Sequence, residues 1–242
     1  MAKEKKWKSS TMVAIFHDQV AANNQKRNGC LKLRAFLKKS NEGCYAKKSR
    51  IFSKEPFETF LFETQDDLHL GLKIVLLIGI TGACRYDEMV KMKTTDIEDM
   101  GNVVLIKIPD RKTRKVRSFT IIGENYIKID RKYAALRPKD MLETRFFSKY
   151  QNGKCCRSVM GIHTISSVPG KVATLLKLSN SKEYTGHSLR RTSATLLIDG
   201  GGNIESLKRH GGWKSSSVAE GYIEEPLRNK NDNASKIEGK KL

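Results

Sequence analysis

The spacing of apolar residues in the central and C-terminal parts of the chain predicts a mostly helical protein. Ser53 has the character of an N-cap, and Phe57 and Phe60 after it fall on one helical face. The stretch over 67–80 repeats apolar residues with helical spacing and ends before Gly82, a residue that favours helix termination. Further helices are predicted over residues 86–92, 124–136, 162–178, 187–199, 203–208 and 217–223.

One part of the chain instead has the composition of β-strands. Val103–Ile108 and Val116–Ile122 are rich in β-branched residues, and a highly cationic turn, Pro109–Lys115, separates them. We therefore predict an antiparallel hairpin here, and a polar loop after Pro138 that contains Gly153, Cys155 and Cys156. The predicted fold class is α+β: a mostly helical domain with a small antiparallel β-hairpin or sheet.

The charge of the chain indicates a polyanionic partner such as nucleic acid. The 242 residues include 46 Lys or Arg and 26 Asp or Glu, a net charge of +20. Residues 1–54 alone contain 14 Lys or Arg against 3 Asp or Glu. We divide the chain into a basic arm over 1–49, a regular domain over 50–225 and a polar tail over 226–242. A solvated terminus without function is the alternative interpretation of the arm.

Cysteine usage and hydropathy argue against several classes of protein. The five cysteines are odd in number, form no CxxC motif and follow no secretory signal, which favours a reducing intracellular compartment over secretion. The histidines lie too far from the cysteines for a zinc site. The longest apolar run, Ile74–Ile80, is too short to span a bilayer. We therefore expect no metal, no cofactor and no membrane contact.

Residues suited to phosphate chemistry gather near the end of the chain. Metal-free cleavage of a phosphodiester requires cations on the nonbridging oxygens, an in-line nucleophile and a proton donor for the leaving 5′ oxygen. Arginines can supply the cations, a tyrosine the nucleophile and a lysine the proton. A tyrosine suits the attack because a phosphotyrosine ester conserves the bond energy for rejoining. His187 and Arg190 stand three residues apart at a predicted helix start and share a face. Alone, this pair is a weak signal and is more typical of a basic helix surface.

Several short blocks, in a fixed order, give these residues a context. They are Gly82–Glu88 (GACRYDE), Lys112 on the predicted hairpin, His187 with Arg190, and Trp213 nine residues before Tyr222. In order and local spacing the blocks resemble the catalytic domain of the tyrosine recombinases, the integrase-like family. The resemblance covers roughly residues 50–225, and the full set is far more specific than any one block.

The resemblance implies a role for each residue. The catalytic set is Arg85, Lys112, His187, Arg190, Trp213 and Tyr222, with Glu88 in support and Lys115, Arg117 and Arg191 in DNA binding. The arginines, the histidine and the indole N–H would bind the scissile phosphate. The tyrosine would attack it, leaving a 3′-phosphotyrosine and a free 5′ hydroxyl, and the lysine would be the general acid. Lys115 remains an alternative to Lys112 for this acid, because both lie on one turn.

The resemblance also implies partners and a setting. Enzymes of this kind act on double-stranded DNA without metal or ATP, as homotetramers on paired sites, with a C-terminal tail that docks onto a neighbour. Residues 1–49 would be a remnant of the helical core-binding domain and its linker, which leaves the DNA clamp incomplete. Tyr184–Arg191 (YTGHSLRR) and Tyr133–Pro138 (YAALRP) resemble recombinases of eukaryotic crypton-type transposons, which implies a mobile-element origin and a nuclear location.

Two other functions remain open at this point. A non-enzymatic DNA-binding protein derived from such an enzyme would carry the same charge, and a type IB topoisomerase would share the fold and the chemistry. Arg85 could form a helix-surface pair with Glu88, and Trp213 and Tyr222 could be core aromatics. His210, three residues before Trp213, is interpreted as unpaired, and as a structural residue or part of the rim of the site.

Overall fold

The structure, a computed structural model, describes residues 47–109 and 116–224. The chain divides into two compact units, Met1–Lys47 and Lys48–Leu242, and the elements below belong to the second. Residues 1–46 of the predicted basic arm, residues 110–115 of the cationic turn with Lys112 and Lys115, and the polar tail lie outside the described residues. No helix among the described residues is long and apolar enough to cross a membrane.

The predicted helices are confirmed, with shifts at their ends. They are α1 Lys54–Glu63, α2 Asp66–Thr81, α3 Tyr86–Lys91, α4 Glu124–Ala135, α5 Ile162–Leu175, α6 Gly186–Asp199, α7 Ile204–Gly211 and α8 Ser216–Glu220, with 3-10 turns at Thr94–Asp96 and Ser181–Glu183. Helix α5 ends before the predicted residue 178 because Lys177 adopts the left-handed conformation, with φ 55°. Helix α7 continues to Gly211, three residues beyond its predicted end.

A three-stranded antiparallel sheet contains the predicted hairpin. Its order is β1 Ile97–Asp99, β2 Val103–Pro109 and β3 Val116–Ile122. The hairpin is confirmed, and the register pairs Ile106 with Phe119 and Ile108 with Arg117. Both isoleucines are buried, because alternate residues of β2 face the helices. Strand β1 was not predicted, since three residues are too few to show a period.

The prediction of a polar loop around Gly153, Cys155 and Cys156 is wrong. Strands β4 Ser148–Gln151 and β5 Lys154–Val159 form a second antiparallel hairpin, and Cys155 and Cys156 lie in β5. Asn152 and Gly153 form its two-residue turn with φ 49° and 77°. Asn-Gly is the dipeptide that best tolerates positive φ at both central positions, so the sequence did contain a hairpin signal here.

Helix α2 is the centre of the main core. Residues along its length, such as Leu70, Ile74 and Leu77, are completely buried among the other helices and the sheets. Helix α6 crosses α2 closely at Gly79, where an added Cβ would lie 2.6 Å from Cδ1 of Leu189. This close crossing places α6, the helix that carries His187 and Arg190, directly against the centre of the main core.

A second, smaller core lies between α6, α7 and α8. Its buried members are Ala83, Ala194, Leu207, Trp213 and Ala219, with Leu197, Ile198, Ile204, Tyr222 and Ile223 packed against it. Two residues of the predicted catalytic set, Trp213 and Tyr222, therefore contribute to an apolar cluster. The alternative interpretation of them as core aromatics and the predicted catalytic role are compatible in this geometry.

Candidate active site

The start of α6 presents His187 and Arg190 from a capped helix end. The Thr185 hydroxyl accepts the backbone N–H of His187 at 3.3 Å, and the Ser188 hydroxyl accepts the N–H of Thr185 at 2.9 Å. These reciprocal bonds form a capping box, which satisfies backbone donors of the first turn. His187 is exposed in this first turn, whereas Arg190, one turn later, is buried.

Arg190 is held by backbone carbonyls and aromatic rings. Only 2% of the residue is exposed, and its Nη1 and Nη2 donate to the carbonyls of Ala83 and Gly211 at 2.7 and 2.8 Å. Its Cζ lies 4.3 Å from the ring centroid of Trp213 and 5.4 Å from that of Tyr222, both within cation–π range. Burial, and next the charge of Arg85, lower the pKa of Arg190 to about 10, so it stays cationic at neutral pH.

Trp213 and Tyr222 pack on each other beside this guanidinium. Their ring centroids are 4.9 Å apart, Trp213 is 6% exposed and Tyr222 is partly exposed. Gly211 provides the space for the indole, because an added Cβ would lie 1.9 Å from its Cζ3. Gly212 ends α7 in the left-handed conformation, with φ 65°, which confirms the backbone turn indicated by the two glycines.

Two buried donors in this cluster have no partner among the described residues. They are Nε of Arg190 and Nε1 of Trp213. A buried N–H without an acceptor costs free energy of about 1–3 kcal/mol, which an anion bound at this place would recover. The cluster therefore has the properties of an anion site whose donors are set in advance by packing.

Arg85 is held in a different way, by a carboxylate. It precedes α3, its side chain is 46% exposed, and its Nη1 donates to Oε1 of Glu88 at 2.7 Å. Oε2 of Glu88 accepts the backbone N–H of Arg85, also at 2.7 Å. The orienting role predicted for Glu88 agrees with this geometry. Cys84 beside Arg85 is completely buried, which raises the pKa of its thiol to about 12.

Arg117 is largely buried. Its side chain is 12% exposed, and its Nη2 donates to Oε2 of Glu88 at 2.8 Å. Its Nη1 donates to the carbonyls of His210, at 2.8 Å, and Gly82. The guanidinium is engaged inside the protein, and the DNA-binding role of Arg117 stays a prediction from the sequence. No sequence motif signals this arrangement, since two of the three acceptors are backbone carbonyls.

Arg191 is largely buried in the same way. The residue is 5% exposed, and its Nη1 donates to the carbonyl of Ser49 at 2.5 Å. Its Nη2 forms an ion pair with Glu224. The backbone N–H of Glu224 also donates to the hydroxyl of Thr195 at 3.0 Å. Arg191 therefore joins the segment before α1 to the segment after Tyr222, and its DNA-binding role stays a prediction from the sequence.

His210 is paired, contrary to the sequence interpretation. Its Nε2 lies 3.0 Å from the hydroxyl of Ser193 on α6. Burial, and then the charges of Arg117 and Arg190, lower its pKa to about 4, so the ring is neutral at pH 7. It belongs to the wall of the site, while His187 is the exposed imidazole.

The structure thus brings together part of the predicted set. Arg190, Trp213 and Tyr222 are in direct contact, Arg85 acts electrostatically on Arg190, and His187 lies one turn before it on α6. Lys112 and Lys115 lie outside the described residues. Among the described residues no cluster of His, Cys, Asp or Glu could hold a metal ion. The charges gathered here are mainly those of arginines, which suits a phosphate.

Known proteins share this fold. The Tn1549 transposon integrase in complex with a circular intermediate DNA is 17% identical with a TM-score of 0.56, over 79% of this chain and 67% of that chain. The XerA recombinase is 17% identical with a TM-score of 0.64, over 79% and 64%. The XerH site-specific recombinase in a post-cleavage complex with its difH substrate is 18% identical with a TM-score of 0.62, over 80% and 55%.

At these identities the structural likeness concerns the fold, and the chain spans 55% of the XerH chain and 64% of the XerA chain. Comparison with curated protein sequences finds no significant match. The sequence profile of the phage integrase family matches residues 53–226, which is most of the chain and includes the whole site described above. The chain therefore belongs to the phage integrase family, the tyrosine recombinases.

Proposed function

We propose that this chain cleaves and rejoins DNA strands through a 3′-phosphotyrosine intermediate, as the catalytic part of a site-specific recombinase. One observation carries the proposal: Arg190 is buried within cation–π range of both Trp213 and Tyr222, and buried N–H donors of Arg190 and Trp213 have no partner in the part of the chain that the structure describes. Such donors stabilise the charge that develops on a phosphate during transfer, because they need no reorganisation at the moment of reaction.

The proposed reaction divides among these residues. Arg85 and Arg190 bind the nonbridging oxygens, and the imidazole of His187 and the indole N–H of Trp213 complete the hydrogen bonding. The Tyr222 hydroxyl gives its proton to the imidazole of His187, and its oxygen forms a bond to phosphorus as the bond from phosphorus to the 5′ oxygen breaks. A lysine of the cationic turn, Lys112 or Lys115, gives the leaving oxygen its proton. Because one ester replaces another, rejoining by the reverse step needs no ATP.

Double-stranded DNA is the proposed substrate. A net charge of +20 favours binding to a polyanion, and the XerH and Tn1549 relatives are DNA complexes. We extend the proposal to a homotetramer on paired sites and to residues 1–49 as the remnant of a core-binding domain. Analytical ultracentrifugation with and without DNA tests the assembly: a tetramer on DNA supports it, and a monomer on DNA contradicts it.

A finer relationship belongs to the same proposal. Tyr184–Arg191 and Tyr133–Pro138 support an affinity with crypton-type recombinases, and hence a mobile-element origin and nuclear location. In the structure the first of these segments contains the capping box and Arg190. Imaging of the tagged chain in a eukaryotic cell tests the location, which an exclusively cytosolic signal would contradict.

Covalent trapping tests the chemistry directly. The unaltered chain is incubated with nicked duplex oligonucleotides of randomised sequence, from which a cleaved fragment diffuses away and leaves the protein attached. We expect a denaturation-resistant adduct whose modified peptide contains Tyr222. Tyr222→Phe should abolish the adduct, while Tyr126→Phe, which removes a hydroxyl bonded to Glu58 outside the site, should preserve it.

Each result that differs from this expectation leads to a different conclusion. An adduct that survives in Tyr222→Phe removes the nucleophile from the proposal. DNA binding without any adduct, unchanged in the Arg85→Ala, Arg190→Ala double variant, supports a non-catalytic DNA-binding protein. Relaxation of supercoiled DNA by monomers at random sites instead indicates a type IB topoisomerase.

A further inference from the structure

Arg117 holds three separate parts of the site from one position on β3. It pairs with Ile108 in the hairpin register, just after the cationic turn. Its guanidinium donates to Gly82, in the turn before Arg85, to His210, at the end of α7, and to the carboxylate of Glu88. These acceptors belong to different elements, so the side chain connects the hairpin to the region of Arg85 and to the end of α7, just before Trp213.

Arg117 and Arg190 bridge the same two backbone turns through consecutive carbonyls. One turn offers Gly82 to Arg117 and Ala83 to Arg190, and the other offers His210 and Gly211 in the same order. Two guanidiniums side by side therefore fix the separation of the turn before Arg85 and the turn before Trp213. Either arginine alone would leave two of these four carbonyls without this donor.

Glu88 extends this connection to Arg85. Its two oxygens accept Nη1 of Arg85 at 2.7 Å and Nη2 of Arg117 at 2.8 Å, and its side chain is only 16% exposed. The Arg85 side chain itself is 46% exposed. The direction of the Arg85 side chain thus depends on a carboxylate that Arg117 holds.

We propose that Arg117 is a positioning residue, which sets the spacing and orientation of the two phosphate-binding arginines without contacting the phosphate. The inference rests on the proposed function for its chemical consequence. It also has a structural consequence that does not depend on catalysis: removal of the guanidinium should release the turn that holds Trp213.

The test compares Arg117→Met with Arg131→Met. Arg131 is a matched control, because it also joins a carboxylate, Asp99 at 2.6 Å, to a backbone carbonyl, Gly101, at the edge of the same sheet and makes no link to the site. Arg117→Lys is the conservative variant, since an ammonium can still pair with Glu88 but cannot reach all three acceptors.

The first readout is the single-turnover rate of adduct formation on a trapped duplex, measured beside the dissociation constant for that duplex over a salt series. We expect Arg117→Met to slow adduct formation about 100-fold, because small misplacement of reacting groups has effects of this size. DNA affinity and its salt dependence should stay within twofold. Arg117→Lys should recover about tenfold of the loss, and Arg131→Met should have no effect.

Substrate chemistry separates positioning from proton donation. A 5′-bridging phosphorothiolate leaves as a thiolate and needs no general acid, so it rescues a variant that has lost only the acid. The Arg117→Met defect should persist on this substrate. The loss in an Arg117→Met, Glu88→Gln double variant should be smaller than the product of the single losses, because the two side chains act as one unit.

Several results would overturn the inference. Full rescue by the phosphorothiolate would assign Arg117 to the acid instead. A weakened, less salt-dependent affinity with an unchanged rate would make it a DNA contact. A lowered unfolding temperature with normal rate in the folded fraction would make it merely structural.

The second readout needs no cleavage. In a Trp7→Phe background, Trp213 is the remaining tryptophan, and its quenching by acrylamide reports its exposure. Arg117→Met should increase this quenching, and Arg131→Met should not. If the unaltered chain forms no adduct, the proposed function fails while this measurement still decides the inference; unchanged quenching in Arg117→Met rejects it.

Discussion

The two arginines that would bind one phosphate are held by opposite physical means. Arg190 is 2% exposed and is fixed by two carbonyls and two aromatic rings, whereas the Arg85 side chain is 46% exposed and is fixed by a single carboxylate. The first arrangement depends on packing and on backbone geometry. The second depends on an ion pair near solvent, which salt screens. We call Arg190 with Trp213 and Tyr222 the rigid half of the site, and Arg85 with Glu88 the adjustable half.

The largest loss of stability is expected when a methyl group is added next to the Trp213 indole. Gly211→Ala would place its Cβ 1.9 Å from Trp213, and the backbone of this residue is not in the left-handed region, so packing alone is tested. We expect a loss of about 3 kcal/mol in the free energy of unfolding, measured with denaturant. Gly161→Ala, where the new Cβ meets nothing within 4 Å, is the control and should lose well under about 1 kcal/mol.

Removal of the buried guanidinium should have a somewhat smaller effect on stability. Arg190→Met leaves the carbonyls of Ala83 and Gly211 without this donor, while it relieves the burial of a charge. We expect a net loss of about 2 kcal/mol in the free energy of unfolding, and a fall in adduct formation of about 10³-fold or more. Unchanged stability would mean that the carbonyls find other partners and that this half is less rigid than its burial implies.

Acid should weaken the rigid half in particular. The pKa of His210 falls from 6.5 to about 4 on folding, so between these values the unfolded chain binds more protons than the native state. The stabilisation is complete above pH 6.5 and is lost as the pH drops towards 4, by about 1–3 kcal/mol. His210→Gln should flatten this part of the pH profile of unfolding. His163→Gln, at an exposed position, should leave the profile unchanged.

The smallest effect on stability is expected in the adjustable half. Arg85→Met removes the half-exposed partner of a Glu88 carboxylate that Arg117 still holds, so the free energy of unfolding should change by less than about 0.5 kcal/mol, and less again in high salt. Adduct formation should nevertheless fall about 10²–10³-fold. A stability loss comparable to that of Arg190→Met would remove the contrast between the two halves.

Local patterns in the sequence were sufficient for much of the fold. The amphipathic helices and the β2–β3 hairpin follow from periodicity and β-branched composition. The β4–β5 hairpin escaped prediction because its strands are short and polar, although Asn152-Gly153 is a strong turn signal. The helical part of the site was also predictable, since its residues follow one another in the order and spacing of the tyrosine recombinase motifs.

The partners of the buried arginines could not be predicted in the same way. Arg117 reaches carbonyls that are 35 and 93 positions away, and Arg190 reaches one 107 positions away. Any residue can supply a carbonyl, so neither composition nor spacing marks the acceptor. For this reason Arg117 and Arg191 were predicted from the sequence to contact DNA, whereas in the structure their guanidiniums bind carbonyls and carboxylates of the protein itself.

The position of Arg191 has a mechanical consequence. Its guanidinium contacts Ser49, just before the first helix of the catalytic region, and Glu224, two residues after Tyr222. The two ends of the region thus meet at one side chain on α6, and the polypeptide between them forms a nearly closed loop. Tension applied to the chain at either end reaches the same point on the helix that carries Arg190. Adjacent ends of this kind also allow a domain to be inserted into, or permuted within, a longer chain without disturbing its interior.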